Sequence, residues 1–208
     1  MLYHSQDLST ITEAKGKVSD FTAIELQGLD AAYNFDPQGK KVFPKKGKGY
    51  KIPTLEEVID RFPNIEIIVD LKASPAFKLL PALIKLVDKK ESWNRLIFYS
   101  TNDEDISYFK RLKPDEILFE NRSQTGKRLL TQRIENICCC LNNDTQYAGF
   151  ELNRKMYVED YFTLGKSKNT INFKLWDTAS VKCTRNSLQK PSRIFLFGIN
   201  NIDDYKEA

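Results

Sequence analysis

The chain has 208 residues, 41% of them hydrophobic, which suffices for a sizeable core. Thirty-two Lys and Arg against 28 Asp and Glu leave a net charge of +4, too mild to argue for a nucleic-acid partner without a concentrated patch. No apolar run approaches the ~20 residues of a membrane span, and no basic segment leads into an apolar one at the N-terminus, so a soluble cytoplasmic chain without an export signal is expected.

The first stretch, "LYHSQDLSTIT" at 2–12, reads as an apolar strand end running into a polar loop, and it contains His4, the chain's single histidine. Thr22 with Glu25, and Thr54 with Glu57, have the spacing of capping boxes and predict two helix starts. Between them "NFDPQGKKVFPKKGKGYKIP", residues 34–53, carries glycine and proline punctuation and six lysines from Lys40 to Lys51, and predicts a long loop. Its lysines suit either a solvated surface or a positive rim that attracts a phosphate-bearing substrate.

Six short runs then recur: "IEIIVDL" (65–71), "RLIFYS" (95–100), "EILFE" (116–120), "YAGFEL" (147–152), "NFKLW" (172–176) and "RIFLFGI" (193–199). They are continuous rather than alternating, as strands buried on both faces are. Segments with helical spacing separate them, such as Phe77, Leu80, Leu83, Ile84 and Val87, or Ile106, Phe109 and Leu112. Pro75 suits a first helical turn, Pro81 interrupts that helix unless it begins later, and "LKPDE" (112–116) closes the next one. Strand alternating with helix implies an α/β fold with a parallel sheet built from βαβ units, here in a single domain spanning 1–208. Cys138, Cys139 and Cys140 are adjacent and only Cys183 stands elsewhere, so reduced thiols are expected and a disulfide framework or zinc site is not.

No phosphate-binding glycine loop, dinucleotide fingerprint, paired metal cysteines or nucleophile elbow occurs. More informative is the order of "YHSQDLSTITEAKGKVSDFTAIELQGLDA", "GKGYKIPTLEEVIDRFPN" and "IIVDLK". Together these resemble the glycerophosphodiester phosphodiesterase family over residues 2–72: a strand ending His-Asp, a "DL..TT.G.G.V.D.T..EL..LDA" stretch, an "IPTLEEVL" helix and a strand ending Glu-x-Lys. "SRIFLFGINNIDDYKEA" is similar to the family's late strand and the helix after it.

The resemblance implies a TIM (β/α)8 barrel of the PLC-like phosphodiesterase type. Such a barrel hydrolyses a small-molecule glycerophosphodiester to glycerol 3-phosphate and an alcohol with a divalent cation, Ca²⁺ or Mg²⁺, and holds its active residues at the C-terminal ends of the strands. Carried over by position, His4 matches the family's second catalytic histidine, a general acid, with Ser5 where Asp usually follows. Asp70 stands at the third metal carboxylate, usually Glu, with one methylene less reach, and Lys72 matches the lysine that contacts phosphate.

Read without the resemblance, Asp70 equally suits a cap for a helix near Ser74 and Pro75. Trp176 and Phe197 suit core or substrate lining; Glu151 and Asn200 suit the barrel mouth, a solvent-facing position or a helix cap. The family's His-Arg-Gly and Glu-x-Asp strands and its closing strand have no counterpart among these residues. The expectation is therefore an incomplete TIM barrel lacking half the active site, with weak or absent cation binding, no turnover, and open strand edges inclined to self-association. The alternative is a non-catalytic barrel remnant that binds phosphodiesters or a partner.

Overall fold

The computed structural model describes residues 1–72, 75–138, 145–163 and 165–208 and divides into two compact units, Met1–Ile65 and Glu66–Ala208.

The first unit has little regular structure. Residues 2–4, expected to end a strand, belong to none; the Leu2 N–H donates to the Pro53 carbonyl at 2.9 Å. Helices α1 (Ala23–Gly28) and α2 (Leu55–Arg61) begin at the two predicted capping boxes. Glu25 and Glu57 each accept the N–H and hydroxyl of the N-cap threonine, at 2.7 to 2.9 Å. Helices of six and seven residues are too short to persist alone, so their caps and their contacts with the core hold them. That core is Leu8, Leu26 and Ile52, with Tyr3, Val18 and Phe21 packed on it. The lysine-rich stretch contains neither helix nor strand, as its punctuation predicts.

The second unit runs β1 (Ile67–Asp70), α3 (Leu80–Lys89), β2 (Leu96–Tyr99), α4 (Asp103–Leu112), α5 (Arg122–Glu135), β3 (Tyr147–Glu151), β4 (Asn153–Phe162), β5 (Gly165–Lys174), α6 (Thr178–Ser187), β6 (Arg193–Phe197) and α7 (Ile202–Glu207). Because α3 starts at Leu80, Pro81 lies in its first turn, where no intrahelical N–H is lost. Pro75 precedes a separate 3-10 turn, Ala76–Lys78, whose first N–H donates to Asp105 Oδ1 at 2.9 Å.

Strands β1 and β2 pair in parallel with Asp70 opposite Tyr99, and β3 and β6 pair in parallel with Glu151 opposite Phe197. Bridges Phe98 to Leu118 and Phe119 to Tyr147 insert the "EILFE" run between the two pairs, giving a parallel arc of five stations. An Arg193–Glu66 ion pair ties the start of β6 to the residue before β1. One face of the arc is filled by rings: Tyr99 lies 5.2 Å from Phe119 and 5.0 Å from Phe197, and Phe119 lies 5.1 Å from Phe195. Gly149 makes room for them, since a Cβ there would stand 2.7 Å from Phe197 and 2.9 Å from Phe119. Gly149→Ala is expected to cost about 1–3 kcal/mol by overpacking, read from the urea unfolding midpoint.

Two expectations need correction. The run at 172–176 is not a station of the arc: 165–174 is the returning strand of an antiparallel β4–β5 hairpin, and Leu175 and Trp176 beyond it are in the core with Leu129, Phe150 and Leu152. The thiols are not all reduced, because Cys138 is bonded to Cys183 with Cα atoms 5.5 Å apart. Asn136, left-handed at φ 54°, ends α5 and turns the chain so that Cys138 meets α6 across 45 residues of sequence. Cys139 and Cys140 lie outside the described residues. Among the described residues no helix is long and apolar enough to cross a membrane.

Candidate functional site

His4 is exposed at the edge of a turn in the first unit. The surrounding motif residues hold backbone rather than do chemistry. Asp7 accepts the Ser9 N–H at 2.8 Å and the Ser9 hydroxyl at 2.6 Å, and Leu8 N–H donates to the Gly16 carbonyl at 2.9 Å. The bonds from Ser9 hold the Asp7 carboxyl below its usual range. Thr12, buried, donates its hydroxyl to the Leu8 carbonyl at 2.8 Å, and Gly16 has φ +105°, which only glycine adopts readily. The pattern that looks most like a signature is thus largely the frame of the loop that follows His4.

Asp70 and Lys72 lie in the second unit, at the C-terminal end of β1, and pair with each other at 2.8 Å, both about one-third exposed. Asp105 accepts the Ala76 N–H, and the alternative reading of Asp70 as a cap near Ser74 falls on residues outside the described ones. At the neighbouring strand ends stands a network that the sequence reading missed. Arg122, the first residue of α5, donates to the Tyr99 hydroxyl at 3.0 Å and forms an ion pair with Glu151 at the end of β3. Arg154 reaches the other Glu151 oxygen at 3.5 Å, and both guanidinium groups lie over the Phe150 ring, at 4.5 and 5.0 Å. Burial pushes the Glu151 carboxyl up, but the hydrogen bond and charge of Arg122 outweigh it, and the group is held below its usual value. Burial raises the Tyr99 phenol, partly opposed by Arg122.

Glu151 therefore stands at the strand mouth, one of the three places the sequence allowed it. Trp176 is core, its indole N–H donating to the Glu151 carbonyl at 3.0 Å, and Phe197 belongs to the ring cluster. Asn200 is an exposed loop residue whose side chain donates to the Gly198 carbonyl at 3.1 Å; the cap of α7 is its neighbour Asn201. A usable signal for Arg122 did exist: strand-end carboxylates are followed by a cation two or three residues on, at Asp70 and Lys72, Glu120 and Arg122, and Glu151 and Arg154. Beside the network opens a cleft of about 770 Å³, lined in part by Asn102, Arg122, Lys127, Leu130, Phe150 and Arg154.

Behind the third station, Glu120 and Arg128 form a fully buried ion pair, and Glu120 also accepts the Thr125 hydroxyl at 2.7 Å. Whether the residues fit the family's divalent cation can be judged from the donors. Among the described residues no three carboxylate, imidazole or thiolate groups come together, and Asp70 already has one oxygen on Lys72. A hard cation takes six to eight oxygens, so the described donors do not make its site.

A parallel α/β arc with charged side chains gathered at its strand ends defines a partial barrel of the TIM type, the class in which such ends carry the active residues. The profile of the "Glycerophosphoryl diester phosphodiesterase family" matches residues 1–136. The uncharacterized protein Rv2277c of Mycobacterium tuberculosis is 33% identical over 209 residues, covering 100% of this chain and 68% of that protein. The crystal structure of its glycerophosphoryl diester phosphodiesterase domain superposes with a TM-score of 0.86 at 31% identity, over 99% of this chain and 74% of that one. A Bacillus subtilis glycerophosphodiester phosphodiesterase is 29% identical over 127 residues, 55% of this chain and 42% of that protein. A glycerophosphodiester phosphodiesterase from Agrobacterium tumefaciens shares the fold at 13% identity, with a TM-score of 0.61 over 99% of this chain and 70% of that one. The chain belongs to the glycerophosphoryl diester phosphodiesterase family and is a glycerophosphodiester phosphodiesterase-like protein.

Proposed function

We propose that these 208 residues bind a small-molecule glycerophosphodiester, with Lys72 as the phosphate contact and His4 as the general acid of the family's hydrolysis. The reading rests on the family match across residues 1–136, which includes both positions. In that reaction the P–O bond to the alcohol breaks, and the departing alkoxide takes a proton, which an imidazolium can supply. Activating the attacking water is a separate proton transfer, and the chain has no second histidine for it. Asp70 is proposed as the remnant of a cation-ligating position. The balance favours phosphodiester binding over turnover by these residues alone.

An exposed Lys72–Asp70 pair contributes little to stability, so the ammonium can exchange its partner for a phosphate oxygen at small cost. A charged hydrogen bond to phosphate is worth about 1.5–3 kcal/mol, so Lys72→Met should weaken glycerophosphocholine binding about tenfold or more in a calorimetric titration. Equal affinity for parent and variant would remove Lys72 from the site. The outer edges of β1 and β6, which pair with no further strand among the described residues, are the surfaces through which a second copy would add.

A further inference from the structure

Residues 34–53 hold six lysines and a single carboxylate, Asp36, a net +5 against the +4 of the whole chain. The loop has a defined shape within the first unit. The Asp36 carboxylate accepts the N–H groups of Lys40 at 3.2 Å and Lys41 at 2.6 Å. Asp30 accepts the Gly47 N–H at 2.7 Å, the Ala31 N–H donates to the Tyr50 carbonyl at 2.9 Å, and the Lys46 ammonium sits 3.6 Å from the centre of the Tyr33 ring. These anchors fix the base of the loop and turn its middle outward. Every residue from 40 to 51 is exposed, and Val42, Phe43 and Tyr50 are 59%, 39% and 47% exposed.

Apolar side chains are thus held in water between lysines, while Leu8, Leu26 and Ile52 fill the core nearby. We propose that this loop docks the protein on an anionic bilayer surface. The lysines pair with lipid phosphates, and Val42 and Phe43 enter the boundary between headgroups and acyl chains. Charge alone would suit any polyanion. An exposed aliphatic side chain beside an aromatic one gains nothing on a sugar–phosphate backbone, whereas at a bilayer surface electrostatic attraction and apolar burial act together.

The test is co-sedimentation of the full chain with vesicles of phosphatidylcholine alone, or of equal parts phosphatidylcholine and phosphatidylglycerol. Binding is expected only to the mixed vesicles, and weakening as salt is added. A lysine near an anionic surface contributes about fivefold, so Lys40→Gln/Lys45→Gln/Lys48→Gln should lower partitioning about a hundredfold. Val42→Ser/Phe43→Ser, with all lysines intact, should lower it about tenfold or more. Lys78→Gln/Lys85→Gln/Lys206→Gln removes the same charge from the second unit and should bind as the parent does. Equal binding to neutral vesicles, an unchanged loop triple variant, equal losses in the two triple variants, or binding to duplex DNA with none to vesicles would each overturn the proposal.

Discussion

Replacing either member of the Glu120–Arg128 pair, as Glu120→Gln or Arg128→Met, is expected to destabilise the second unit by about 3–5 kcal/mol. Both side chains have no solvent exposure, and their attraction compensates charges that water cannot reach. Removing one partner strands the other. The Arg128 Nε–H already lacks an acceptor among the described residues, so the guanidinium has no alternative arrangement to fall back on. The double replacement Glu120→Leu/Arg128→Met removes both charges and should recover most of the loss, because a buried ion pair is worth little against apolar side chains of similar volume. Trp93 and Trp176, the chain's two tryptophans, both lie in the second unit, so urea unfolding followed by their fluorescence reports on the right part. A single replacement that cost under ~1 kcal/mol would mean the pair is hydrated in solution. The effect should also reach the strand mouth, since α5 carries Arg122 at its start and Arg128 two turns later.

What was legible in the sequence is what short-range chemistry determines. Thr22 and Thr54 announce their helices because a capping box closes within four residues. Five of the six apolar runs became stations of one parallel arc because uninterrupted β-branched and aromatic side chains suit burial on both faces. Asp7, Thr12 and Gly16 made the family recognisable, and their hydrogen bonds and backbone angles explain why those residue types occur there.

The misses are all pairings across long stretches of chain. "NFKLW" has the composition of a barrel strand, but its partner is the preceding strand of a hairpin, which composition does not reveal. Cys138 and Cys183 are 45 residues apart and meet only because Asn136 turns the end of α5. Arg122 and Glu151 are separated by 29 residues and come together only through the order of stations in the arc.

The largest expected effect concerns chemistry. A positioned proton-transfer group contributes typically ~100- to 10,000-fold to such a hydrolysis, and a bound cation several kcal/mol more. These 208 residues contain one histidine, and the described donors do not assemble a cation site. Lacking one of the two proton transfers together with the metal contribution would remove on the order of a million-fold or more, so turnover below detection is the expected result even where the phosphodiester binds. His4→Ala should then leave the measured rate unchanged while Lys72→Met still weakens binding, a separation that an active site complete in these residues would not give. The decisive measurement is release of glycerol 3-phosphate from glycerophosphocholine by residues 1–208 in the presence of Ca²⁺ or Mg²⁺. A rate equal to that without protein is expected, and metal-dependent release that disappears in His4→Ala would contradict it.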